Sequence, residues 1–151
     1  GLAVARFTEA KLTQVDQALA PGSDLPACTD PFALTTFGST LVTTCRTGGL
    51  ELLNGTVRQR LPREGTLYDT VAGDLDLDGR IDLASVDPFA HELVLWWGAP
   101  DGGFDAPIAR ATDRGPILLR SFDFDTDGRP ELWVLAFQDR SVTVYRLEGF
   151  R

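Results

Sequence analysis

The chain has no methionine, a single histidine and two cysteines among its 151 residues. Two cysteines, Cys28 and Cys45, are too few for a disulfide-built scaffold, and they lack the CxxC spacing of a zinc or redox site. If oxidised they close a loop worth about 3 kcal/mol in the chain-entropy model; two buried thiols are the alternative, and the bonded form is preferred. Basic residues are also scarce: 14 Lys and Arg face 22 Asp and Glu, for a net charge of −8. Phosphate backbones and anionic membrane surfaces are therefore repelled, which excludes nucleic-acid binding. No apolar run approaches the ~18 residues of a membrane span. Residues 1–6 have neither a basic start nor a long apolar middle, so no secretory leader is legible. With Gly1 first and no Met, the chain is expected to be a processed or excised piece of a longer one.

Catalytic signatures are missing too. There is no Gly-x-Ser-x-Gly elbow and no phosphate-binding loop. His91 sits in a short loop beside Asp87 and Glu92, and reads as a surface residue, not an acid–base catalyst. The chain is expected not to be an enzyme.

What is present is β-structure. Apolar residues make up 43% of the chain, enough for a packed core. From residue 32 onward, Val, Leu, Thr, Phe and Trp come in runs of four to seven, bounded by Gly, Pro, Asp and Asn. These predict strands at 32–37, 40–45, 50–53, 56–61, 70–72, 82–86, 92–97, 107–111, 117–122, 131–137 and 142–147. Residues 8–20 fit a helix or a strand at 11–15, and an irregular or partly helical connection is preferred. Trp96 and Trp97, adjacent in one strand, must point to opposite faces. Packing between neighbouring sheets is the expected role for them and for Trp133.

The chain also repeats itself. AGDLDLDGRIDLASVD (72–87) aligns with SFDFDTDGRPELWVLA (121–136) at a constant offset of 49. An earlier unit keeps the strand rhythm but replaces the acidic loop with a Gly38-Ser39 turn. Units of about 45–50 residues holding four short strands have the size of propeller blades. The expected architecture is all-β: a partial β-propeller of about three to four blades of four-stranded antiparallel sheet. Residues 1–31 would form a partial blade and connection, and 32–64 a blade without an acidic loop. Residues 65–114 would form a blade with one, and 115–151 an incomplete blade with a second.

Asp74-x-Asp76-x-Asp78-Gly79-x-x-Asp82 places carboxylates at loop positions 1, 3, 5 and 9, where alternate side chains converge on one centre. Position 7, Arg80, is expected to offer its backbone carbonyl. The second copy presents Asp123, Asp125, Asp127, Arg129 and, in place of Asp, Glu131. An all-oxygen set of this size suits Ca²⁺ better than Mg²⁺, and without Cys or His it does not suit zinc. Two Ca²⁺ ions are expected. An EF-hand is excluded, because it needs a bidentate Glu at position 12 and flanking helices. Position 12 is Ser85 in one copy and Val134 in the other, and the flanks read as strands.

DLDLDGRIDLASV and DFDTDGRPELWVL resemble the calcium loops of FG-GAP/VCBS repeats, found in integrin α-subunit propellers and many bacterial extracytoplasmic proteins. The resemblance covers about 100 residues well and residues 1–31 poorly. It implies calcium in the loops at the positions just named, an extracytoplasmic location, and a role in adhesion, recognition or assembly. The expected partner is a protein that completes the propeller: a copy of the chain, the rest of its parent, or another subunit. A lectin-like propeller binding a glycan is the second reading, and a propeller-scaffold enzyme the third.

Overall fold

The computed structural model describes residues 5–8, 11–14, 30–55 and 57–148, with side chains over the last two ranges. Every regular element among them is a β-strand. Strands β1 (Ala5–Thr8) and β2 (Lys11–Gln14) pair antiparallel, Phe7 opposite Leu12. This corrects the partly helical reading over these positions. Helix propensity is a weak prior, and a partner strand satisfies the same backbone groups. Residues 15–20 lie outside the described residues.

Three antiparallel meanders follow. The first contains β3 (Pro31–Phe37), β4 (Thr40–Cys45), β5 (Gly49–Asn54) and β6 (Val57–Leu61) in sequence order. The second contains β7 (Asp69–Gly73), β8 (Asp82–Asp87), β9 (Glu92–Trp96) and β10 (Ile108–Ala111). The third contains β11 (Pro116–Phe122), β12 (Glu131–Ala136) and β13 (Ser141–Tyr145), and so shows three strands among the described residues, not four. The tight turn after β3 carries Gly38 at φ +56°, a left-handed conformation that glycine adopts without a Cβ clash. Gly49 opens β5 at φ +101°, and a Cβ there would meet the Leu61 carbonyl oxygen.

The sheets stack face to face, and strand alternation decides which side chain goes where. Along β9, Val94 and Trp96 enter a core shared with Val42, Leu50 and Leu52 of the first sheet. Leu93, Leu95 and Trp97 enter a second core shared with Leu119, Leu132 and Val134 of the third. The middle sheet is therefore covered on both sides, and β8 is buried along its whole length. Burying each such Leu or Val is worth about 1.5–3 kcal/mol, so these two cores are the main stabilising layers. Trp96 and Trp97 are both 2% exposed, as packing residues should be.

Polar links set the sheets in register. The Thr44 hydroxyl donates to Thr70 Oγ1 at 2.6 Å, Thr70 donates to Ser85 Oγ at 3.0 Å, and Ser85 donates to the Asp69 carbonyl oxygen at 2.8 Å. The Asp69 carboxylate accepts the Leu119 N–H at 2.9 Å and pairs with Arg120 at 2.8 Å. Strand β7 thus lies between β3 and β11, the arrangement of first strands in successive blades. The molecule is a partial β-propeller. Cys45 is buried on β4, while Cys28 lies outside the described residues.

Candidate metal centre

The two acidic segments are the β7–β8 and β11–β12 connections. Each is folded by its own carboxylates. In the first, Asp76 Oδ1 accepts the Asp78 N–H at 3.2 Å and Asp78 Oδ1 accepts the Arg80 N–H at 2.9 Å. Asp74 Oδ2 reaches across the loop to the Gly79 N–H at 2.9 Å. The second loop repeats every bond. Asp125 accepts from Asp127 at 3.2 Å, Asp127 from Arg129 at 2.8 Å, and Asp123 from Gly128 at 2.9 Å. Short acidic side chains bonding backbone two residues on are the local turns that Asp favours. Spaced at every second residue, they curl the chain around one point.

The backbone matches as well. Gly79 and Gly128 have φ of +85° and +87°, as their position requires. Leu77 and Thr126, two residues earlier, also lie in the left-handed region, at +66° and +62°. For a β-branched Thr this conformation is uncommon. Finding it twice shows that the loop geometry, not the local residue, dictates it.

One oxygen from each of Asp74, Asp76 and Asp78 falls within 4.8 Å of the others, and Asp123, Asp125 and Asp127 converge in the same way. These six residues come together as the spacing anticipates. The position-nine acids stand outside the two triplets. Asp82 is fully buried, and its two oxygens accept the Leu75 N–H at 2.9 Å and the Gly98 N–H at 2.8 Å. Glu131 Oε2 accepts the Phe124 N–H at 3.0 Å, so the longer side chain reaches the same loop amide that Asp82 holds in the first copy. The Arg80 guanidinium pairs with Asp78 and donates to the Gly98 carbonyl oxygen at 2.7 Å. That of Arg129 lies 3.5 Å from Glu148.

Three carboxylates so close repel one another. Each pair costs about 1 kcal/mol in bulk water and about 4 kcal/mol near a protein surface. Burial pushes the Asp82 carboxyl above its ordinary range, against the pull of the Gly98 and Leu75 amides, and Asp76 and Asp78 push it further the same way. Asp74 Oδ1 is buried with no hydrogen-bond partner. A buried acceptor left unmade costs about 1–3 kcal/mol, and a cation among the three side chains would satisfy it. The donor set is entirely oxygen, which fits a hard divalent ion.

The other residues singled out by sequence have structural partners. His91 Nδ1 accepts the Gly115 N–H at 3.1 Å, Asp87 accepts the N–H groups of Thr66, Phe89 and Ala90, and Glu92 pairs with Arg63 at 2.6 Å. Trp133 stacks on Phe122 with ring centroids 5.1 Å apart, and Phe124 closes the group edge-on at 5.1 Å. No described helix is long and apolar enough to cross a membrane.

The family model of the FG-GAP-like repeat matches residues 74–134, from the opening Asp of the first loop through the whole of the second and into β12. No curated protein and no solved structure matches the chain.

Proposed function

Residues 74–134 being an FG-GAP-like repeat segment, we propose that the chain is a calcium-binding β-propeller segment that works outside the cytoplasm as a non-enzymatic assembly module. One observation carries the calcium reading. Two loops 49 positions apart fold through the same hydrogen bonds and each bring three carboxylate oxygens together. The buried Asp74 Oδ1, which accepts no hydrogen bond, supports the same reading. In this reading Asp74, Asp76 and Asp78 hold the first ion with the Arg80 carbonyl and Asp82. Asp123, Asp125, Asp127, the Arg129 carbonyl and Glu131 hold the second. The ion's role is to staple each hairpin, offsetting a repulsion that otherwise opens it.

An extracytoplasmic location fits the FG-GAP-like match and calcium, which is abundant there; a Cys28–Cys45 disulfide belongs to the same proposal, supported by the bonded state of Cys45. The partner is a further sheet of the same kind. The third sheet leaves Leu118, Phe122, Val142 and Val144 exposed on the face away from the second sheet. At the offset of 49, Val142 and Val144 correspond to Leu93 and Leu95, which the third sheet buries completely.

Direct calcium titration by calorimetry tests the metal reading. Two ions per chain are expected, and one after Asp76→Asn. A wild-type chain that binds none rejects it.

A further inference from the structure

The two loops differ in where their positive charge comes from. In the first, the guanidinium on the carboxylates belongs to Arg80, inside the loop itself. In the second, the corresponding Arg129 is turned toward Glu148. Its place is taken by Arg146, just beyond β13. Arg146 Nη2 donates to Asp125 Oδ2 at 2.6 Å, and its Nε lies 3.9 Å from Glu131 Oε1. The residue 49 positions earlier is Trp97, which is buried in the core between the second and third sheets. Arg146 is therefore a departure from the repeat. Its neighbours Tyr145 and Leu147 both pack against that core, which holds the guanidinium at the loop.

We infer that Arg146 is the internal counter-ion of the second loop and sets that loop's affinity for a divalent cation. The inference rests on the calcium reading above. With Arg146 on Asp125, part of the negative charge that would attract Ca²⁺ is already neutralised. An entering ion must displace the guanidinium or bind within a few ångströms of it, and both oppose binding. The pair is solvent-exposed, with side chains 69% and 34% accessible, so the effect is bounded. Exposed pairs of this kind set a ceiling of about fivefold in affinity. The opposite role, a clamp that positions Asp125 for the ion, would reverse the sign.

The test is a two-site calcium titration of the wild-type chain, Arg146→Gln and Arg146→Lys, with melting curves in chelator to show that all three fold alike. Arg146→Gln should tighten one site, by at most about fivefold, and leave the other unchanged, whereas Arg146→Lys, which keeps the charge, should bind like wild type. A weakened or unchanged site in Arg146→Gln overturns the inference while leaving the calcium reading intact. Equal tightening of both sites overturns it too, since that would report net charge and not this contact. Failure of the wild-type chain to bind calcium at all removes the calcium reading and this inference together.

Discussion

Asp82 and Asp139 are the same side chain pulled in opposite directions. Asp82 is walled in, and burial raises it despite two backbone donors. Asp139 lies at the surface, where the Arg114 side chain and then the Arg114 backbone N–H hold it below its ordinary range. Both bonds are 2.8 Å, and they tie the β12–β13 turn to the loop before β11. A depressed carboxyl pKa means that the unfolded chain binds the proton more readily. Its stabilising contribution is then present above the unfolded value near 3.8 and is lost as pH falls through the lower folded value. Asp139→Asn should therefore lower the urea midpoint at about pH 7, with the gap to wild type closing below about pH 4. A gap that stays constant across that range would contradict the assignment. At this scale the spacing of the loop aspartates made six of the converging residues legible. It did not show that Asp82 and Glu131 each hold a loop amide, because that bond depends on how the strand after the loop returns past the strand before it. Nor did it show Leu77 and Thr126 in left-handed conformations, since neither residue type signals one.

Strand positions after residue 31 were legible nearly to the residue, because period-two burial and turn residues agree. Thr40–Cys45 coincides with its expected span, and the strand expected at 92–97 ends one residue earlier, at Trp96. Lys11–Gln14 was obscured because its composition fits a helix as well as a strand, and only the pairing with β1 decides between them. The third sheet leaves one of its faces unpacked. Its inner face is closed by Leu119, Leu132 and Val134, while Val142 and Val144 on β13 are 56% and 44% exposed. An apolar sheet face of this kind invites another sheet. For the isolated chain, the available sheet of that type is a second copy. Sedimentation velocity should show concentration-dependent association, and Val144→Asp, opposite Trp133 in the register, should return the chain to monomer with little change in melting. A wild-type chain that stays monomeric across a wide concentration range would count against this docking face.

Among the described residues, three stacked meanders accompany the β1–β2 hairpin, and the repeat made that stacking legible in outline. The offset of 49 residues marked two equivalent units, and their equivalence extends from the loops to the strands that flank them. The boundaries between cores were not legible, because strand alternation alone does not say which neighbour covers which face. Val94 and Trp96 on one side, with Leu93, Leu95 and Trp97 on the other, settle it for the second sheet. Each acidic loop joins the first strand of a sheet to the second, so opening a loop loosens the edge of a core. The metal binding proposed above would be coupled to global stability for that reason. Thermal melting with millimolar calcium against excess chelator measures the coupling. Saturation at about 100 times the dissociation constant stabilises by about 2.7 kcal/mol per site and so by about 5 kcal/mol for two sites, and chelation should lower the midpoint by roughly 10–20 °C. Superimposable melting curves in calcium and in chelator would contradict the account.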